Sequence, residues 1–496
     1  MQFFSMIKDR LSVSNNQLFI TVFAGITGVA GSYAVAGYTR QFIVAPIDAL
    51  VVRLTPGLLV AFVIENIGEG GHVLHIALSM CLAVGLLGGA ALFGIYVAEQ
   101  LTQSTLGIVL AGGLAWSVTV AITGNPALAV GAAAPVLVFT ALGVESGTVI
   151  EQSPTRRQVL ASAAAFVGVT VGVGRFNGTS EDNTITNPVS RAVEDKFQQA
   201  TIQTLDINGD IPGLVSEIGG FYNVDIAEFD PEVSADDWSM TITGEVSDDV
   251  TVDYNELTAM PTEHRYVTLR CVGEDLNGKK MDTAIWTGTP IKSLLEEADP
   301  DGTCDCAMLR AEDDYFVQFP TDALENAFLA WEMNGQPLPQ SHGHPVRALV
   351  PGHWGETNVK WLSEIELLEE EMDGYWEQRG WHGTGPVNTV AKLWSTITLD
   401  SGNIELAGHA YAGTRGIKRV EVSVDGGSTW EDAELSEPIP GDDVWRQWRH
   451  EFNPNGDASH DVIVRAVDGK GDLQPEEQSD SYPSGATGWV QQTVTR

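Results

Sequence analysis

Four cysteines in 496 residues are too few to staple a fold of this size, and no Cys-x-x-Cys-His run is present, so a covalently attached c-type haem is excluded. No cytochrome b5-like or flavin motif is present either. Basic residues are scarce: 9 Lys and 18 Arg stand against 66 Asp and Glu, giving a formal net charge of −39. An acidic surface of that strength repels phosphate and excludes nucleic acid as a partner. Residues 1–175 carry no net charge at all. Seven acids (Asp9, Asp48, Glu65, Glu69, Glu99, Glu145, Glu151) are matched there by seven bases (Lys8, Arg10, Arg40, Arg53, Arg156, Arg157, Arg175), so all of the −39 falls on residues 176–496. This division explains a mean hydropathy of +0.01 in a chain of pI about 4.4. A single soluble globule is excluded, and the length allows two or three domains.

The uncharged part contains long apolar runs at 18–38, 73–97, 105–123, 126–143 and 159–174. About 20 apolar residues cross a bilayer, and the Ala, Gly and Val content of the shorter runs suits closely packed helices. The pattern predicts a transmembrane region over 1–175 with about five helices. Residues 41–66, interrupted by Asp48, Arg53 and Pro56, read as an interfacial or re-entrant helix. Lys8 and Arg10 before the first run and Arg156-Arg157 before the fifth belong on the inner side. Five crossings then place residues 176–496 outside: a multi-pass protein of the cell membrane with its outer domains extracytoplasmic. Thr155-Arg156-Arg157-Gln158-Val159-Leu160 fits a twin-arginine export signal and equally fits two anchor arginines. His72 and His75 open one span and read as interfacial, and Cys81 within it reads as a packing residue.

The acidic part is not disordered, because it holds 12 of the 13 Trp and regular apolar runs. A folded domain with this balance resembles proteins of extreme halophiles, since concentrated salt shortens the Debye length to about 3 Å. Residues 176–212 read as a polar linker. From Trp238 the texture is short alternating strands between charged and Gly-rich turns, a mixed α+β pattern. Cys304 and Cys306 are spaced for a strained disulfide or two free thiols rather than a metal knuckle. Cys271 ends an apolar strand and leaves into Val272-Gly273, a place suited to a soft metal. His342, His344 and His353 do not share a helix face, which argues against zinc.

Residues 342–362, reading His-Gly-His-Pro-Val-Arg-Ala-Leu-Val-Pro-Gly-His-Trp-Gly-Glu-Thr-Asn-Val-Lys-Trp-Leu, resemble the molybdopterin-binding signature of the sulfite oxidase family. Further likenesses lie at 220–225, 238–244, 268–273, 282–290 and 375–381, and a C-terminal part with Gly/Asp turns is similar to the family's dimerisation domain. The resemblance implies an α+β molybdopterin domain over 213–386 and an immunoglobulin-like β-sandwich over 387–496, giving a multidomain protein behind an α-helical membrane bundle. It implies a molybdenum–molybdopterin cofactor bound through Cys271, with no haem or flavin. Arg347 and Lys360 would face its phosphate and pterin, with Tyr222, Asn223, His342, His344, Trp354, Thr357 and Asn358 as further contacts. Arg379 and Trp381 would lie at the reacting centre.

The reaction implied is two-electron oxygen-atom transfer on a small sulfur or nitrogen oxo compound, with electrons exchanged through a separate small redox protein or membrane partner. A homodimer through the C-terminal domain is also implied. The family's substrate-holding arginines after the ligating Cys are replaced here by Glu274-Asp275-Leu276, which would repel sulfite. Its active-site Tyr is replaced by Trp381, and an arginine near the entry segment by Asn223. The alternative is a cofactor-free, membrane-anchored binding or adhesion protein that keeps the fold.

Overall fold

The computed structural model describes residues 15–56, 59, 63, 70–146, 189–226, 229–454 and 459–495. The fifth apolar run, the twin-arginine segment and the first bases, Lys8 and Arg10, lie outside the described residues. The chain divides into two compact units.

The first unit is helical: α1 (Asn15–Ala36), α2 (Val44–Leu54), α3 (Gly70–Leu101), α4 (Ser104–Thr123) and α5 (Ala129–Ser146). Three stretches, Gln17–Ala36, Val73–Leu101 and Ser104–Thr123, are long and apolar enough to cross a membrane; Ala129–Val144 is apolar but shorter. Of the five runs expected to span, three meet this length among the described residues, the fourth forms the shorter helix α5, and the fifth lies outside them. Small residues let these helices touch. A Cβ at Gly94 would lie 2.5 Å from the Gly107 carbonyl oxygen, and one at Gly107 would lie 2.3 Å from that of Gly94. Cys81 is exposed on α3, not packed inside, because its helix turns that face away from its neighbours. His75 is not simply interfacial: its Nδ1 lies 2.9 Å from Oδ1 of the buried Asp48, to which the Ser79 hydroxyl also donates at 2.8 Å. The His72 side chain lies outside the described residues.

The second unit begins with a helix inside the stretch read as linker. α6 (Arg191–Gln203) starts on Ser190, whose hydroxyl accepts the Val193 N–H, and buries Val193 and Ala200. Its apolar stripe is too short to stand out among Gln, Asp and Lys. After it, Pro212 and Asn208 are bound by Gln447 and Glu405.

Ten strands follow: β1 (Ser239–Gly244), β2 (Val250–Asp253), β3 (Glu263–Arg270), β4 (Met281–Pro290), β5 (Cys306–Ala311), β6 (Phe316–Pro320), β7 (Phe328–Met333), β8 (Gln336–Pro337), β9 (Arg347–Leu349) and β10 (Leu362–Leu367). They form two sheets, β2-β1-β10-β5-β6 and β3-β4-β7-β8 with β9 on β7; only β1–β10 pairs in parallel. Alternation along β7 sends Leu329 and Trp331 into a core with Met240, Leu309 and Ile365, and Phe328 and Ala330 into a second core with Val267, Leu269 and Trp286. Cys304 and Cys306 form a disulfide.

The last nine strands are β11 (Val390–Ala391), β12 (Ser395–Thr398), β13 (Ile404–Tyr411), β14 (Ile417–Ser423), β15 (Glu431–Asp432), β16 (Glu434–Leu435), β17 (Arg446–Phe452), β18 (His460–Asp468) and β19 (Val490–Val494). Two antiparallel sheets, β11-β13-β17-β16 with β12 beside β13, and β15-β14-β18-β19, share one core of Leu406, Val420, Val422, Trp448, Val462 and Val464. This β-domain grips β3 directly. The Thr268 N–H donates to Asp443 O at 3.0 Å, Tyr411 Oη donates to Thr268 O at 3.1 Å, and the Trp445 N–H donates to Thr268 Oγ1 at 3.0 Å. Each such buried bond contributes about 1 kcal/mol, and together they fix the strand end that carries Cys271.

Candidate active site

Cys271 lies one residue past β3. Its N–H donates to Lys280 O at 3.0 Å, which carries the β3–β4 ladder one step further before the chain opens into the 271–280 turn. The thiol is free and half-buried. Burial, then the charge of Glu274, pushes its pKa up to about 11. Left to itself it is a neutral thiol at pH 7 and a poor nucleophile; a cation able to replace its proton would make it a ligand.

The acid after Cys271 does not meet solvent or substrate as a bare charge, and here the expectation of repulsion is corrected. Glu274 is buried, with Oε1 3.3 Å from Arg270 Nε and also bonded to Lys392 Nζ, while Oε2 accepts the Lys280 N–H at 2.7 Å. Arg270 is buried too. It donates to Asn388 O at 2.8 Å and Ala486 O at 3.2 Å, and lies over the Trp354 ring. Lys392, just beyond β11, donates to Gly278 O at 2.8 Å, and burial brings its pKa down to about 8. Glu274 is thus the counter-charge of two buried cations that lock the Cys271 turn onto the β-domain; of the two acids, Asp275 is the exposed one. Glu274→Gln is expected to cost about 3–5 kcal/mol, because it strands both cations. Denaturant unfolding checks this, and a loss below about 1 kcal/mol would show that the cluster is not a paired one.

The 342–362 segment forms a closed loop that packs against Arg270. Arg347 is buried under the Trp286 ring; one terminal nitrogen donates to His342 O at 3.1 Å and the other to Asn358 O at 2.8 Å. It ties together the loop's two ends, and its Nε is buried with no acceptor. Asn358 accepts the Val350 N–H at 2.8 Å and donates to Trp354 O at 3.0 Å, where Thr357 Oγ1 also donates. Trp354 is packed between Arg270 and Gly485. These three side chains therefore shape the loop from within.

His342 is buried, and desolvation, Arg347 and Lys360 bring its pKa down to about 3, so it is neutral. Burial likewise lowers His344. Lys360 donates to Asn223 Oδ1, to Asp225 Oδ2 at 2.9 Å and to Ser341 O at 2.7 Å. Two glycines are required here. Gly343 has φ +103°, and a Cβ there would lie 3.0 Å from the Lys360 Cα; one at Gly355 would lie 2.8 Å from Tyr222 Oη and 3.1 Å from Arg270 O. Tyr222 is thereby set against the loop, and its pKa is raised well above 10 by burial and by Cys271.

Opposite lies an aromatic and acidic wall. Trp381 is 3% exposed and its ring borders Gly273, two residues from Cys271; its Nε1 is buried without an acceptor. Trp376 and Tyr482 pack edge-on against it. Arg379 is committed elsewhere: it lies 3.6 Å over the Tyr375 ring and donates to Tyr375 O at 2.6 Å. Glu356 and Glu377 have all four carboxyl oxygens buried with no hydrogen bond of good geometry. The structure thus brings Cys271, Trp381, Tyr222 and the Arg347 loop together and leaves Arg379 on Tyr375. Sequence reasoning missed Glu356, Glu377 and Lys392. An acid inside a basic loop motif was the one available signal for Glu356, and it was lost among 66 acidic residues.

Two family models match this chain: an oxidoreductase molybdopterin-binding domain at residues 227–376 and a Mo-co oxidoreductase dimerisation domain at 387–484. Mitochondrial sulfite oxidase of Rattus norvegicus is 28% identical over 308 residues, covering 50% of this chain and 55% of the relative. Nitrate reductase [NADH] 1 of Arabidopsis thaliana is 26% identical, covering 50% and 34%. The solved sulfane dehydrogenase SoxCD from Paracoccus pantotrophus aligns over 64% of this chain and 93% of its own at 18% identity, with a TM-score of 0.48. The chain spans about half the length of the curated mammalian relatives that it matches. The cofactor-free alternative is not favoured by these matches.

Proposed function

Because this chain belongs to the sulfite oxidase family of molybdopterin-dependent oxidoreductases, we propose that it transfers an oxygen atom and two electrons to or from a small, neutral sulfur or nitrogen oxide. The single observation that carries this reading is the free, half-buried Cys271 thiol set between the Arg347 loop and Trp381. The residues fit a bulky anionic cofactor. Arg347 keeps a buried Nε without an acceptor, and Lys360, held by Asp225 and Ser341 O, is the loop's second cation. Cys271 would ligate molybdenum, and Arg347, Lys360, Tyr222 and His342 would hold the pterin side. When bound, the cofactor supplies the two-electron oxygen-atom chemistry.

The chain's own residues then set specificity. Trp381 offers its unpaired N–H to the substrate oxygen, which replaces one buried orphan donor with a hydrogen bond. Arg270 is committed to Glu274, so it is not open to clamp an anion. A neutral sulfoxide or amine N-oxide suits this wall better than sulfite does. Residues 387–496 are read as an immunoglobulin-like domain through which the protein dimerises, and the helical unit as a membrane anchor that keeps the catalytic unit outside the cell. A separate carrier exchanges the electrons. The −39 charge is read as adaptation to a salty exterior.

Turnover assays in concentrated salt with a neutral sulfoxide, a neutral amine N-oxide and sulfite test the substrate class. The expected result is turnover of an oxide with little of sulfite; sulfite turnover with neither oxide reduced would defeat it.

A further inference from the structure

Cys304 and Cys306 are joined across a single residue where β5 begins. A cross-link this short takes less freedom from the unfolded chain than a long one does, so stability alone does not account for it. Nor does the strand end need it. The Leu368 N–H donates to Cys306 O at 3.0 Å, the Thr321 N–H donates to Asp305 O at 3.0 Å, and Cys306 pairs with Pro320 of β6. The ring carries a cost instead. Asp305, between the two cysteines, has φ +53°, a left-handed conformation that is unfavourable for a residue with a side chain. Opening the ring lets that residue relax. The two sulfurs are also unequally placed. Cys304 is half-buried between the exposed Thr303 and Asp305, whereas Cys306 is 3% exposed. An incoming sulfur therefore meets Cys304, and Cys306 is the leaving group. Leu368 O, 3.9 Å from Cys306 Sγ, is in place to accept the thiol hydrogen of the opened form. The pair belongs to the sheet that contains β5, whereas Cys271 follows β3 in the other sheet.

We propose that Cys304 and Cys306 form a reversible thiol–disulfide exchange site whose reductant is an external dithiol. The site is independent of the oxygen-transfer reading above. One thiolate of the dithiol bonds to Cys304 Sγ as the Cys304–Cys306 bond breaks, and the Cys306 sulfur takes up a proton. The second thiolate of the dithiol then bonds to the first sulfur and releases Cys304, which is protonated in turn. Two electrons and two protons pass to the cysteine pair, and the dithiol leaves as its own disulfide. Asp301 and Asp305 are exposed acids close to Cys304 in the chain. They favour a neutral or cationic dithiol and disfavour an anionic thiol.

The test uses the full-length protein purified without reductant. It is equilibrated with mixtures of reduced and oxidised dithiothreitol, quenched in acid, alkylated and read by mass spectrometry at Cys304 and Cys306. The two cysteines are expected to become labelled together while circular dichroism shows the protein still folded, and to close again when oxidised dithiothreitol is restored. The residue inside the ring should set the ratio of reduced to oxidised dithiothreitol at half-reduction. Asp305→Gly should raise that ratio about threefold, because glycine takes a positive φ freely, and Asp305→Val should lower it by about as much or more. Wild type and Asp305→Gly alone suffice for the comparison if the valine variant does not fold. A pair that opens only when the protein is denatured overturns the proposal, as does a half-reduction ratio that Asp305→Gly leaves unchanged.

Discussion

Cys271→Ser is expected to lower oxide turnover by at least about 100-fold, the upper end of what losing a group behind a metal ligand costs. A hydroxyl is the closest replacement in shape, so the packing of the turn should survive. The Lys280 carbonyl still receives the backbone N–H at position 271, and the Glu274 cluster does not touch the thiol. Unfolding should therefore stay within about 1 kcal/mol of wild type while activity collapses. That separation distinguishes a ligand from a core cysteine. Equal losses of stability and activity would mean that the thiol only fills space.

Arg347→Met is expected to have the second largest effect. Methionine keeps much of the volume beneath Trp286 but leaves the His342 and Asn358 carbonyls without their donor. Each buried acceptor stranded in this way costs about 1–3 kcal/mol. The loss should fall on the loop: its ends, 342 and 358, both give their carbonyls to this guanidinium, beside backbone bonds such as Ala348 N–H to Val359 O. Pterin retention should drop with stability, and Arg347→Lys should rescue little, because one ammonium cannot span two carbonyls with a planar fork. Pterin content and denaturant midpoints of the two variants check this; full pterin in Arg347→Met would show that the loop closes without it.

The strand carrying Cys271 was legible in the sequence because Tyr266-Val267-Thr268-Leu269 alternates and a Gly turn follows. The loop was legible because its Pro, Gly, Arg and Lys resemble the signature of a known family. The helical unit was legible from uncharged length alone. What escaped was pairing at long range. Glu274 reads as one more surface acid until Lys392, more than a hundred residues later, closes on it. Arg347 reads as a phosphate ligand, yet two of its nitrogens serve the loop's own carbonyls. Glu356 and Glu377 look like decoration in an acidic chain until their carboxyl oxygens are seen to be buried. α6 was hidden because its apolar stripe is brief and its composition is that of a linker. In a chain this acidic, composition conceals the few carboxyls that matter, and only burial separates them from the rest.

We propose that Cys271 and the Arg347 loop hold a molybdenum–pterin group. Molybdenum and pterin measured per chain in protein purified from its native host decide this. Near-equimolar amounts of both are expected in wild type, with loss of molybdenum in Cys271→Ser. Wild type with neither, or Cys271→Ser with as much metal as wild type, would contradict it.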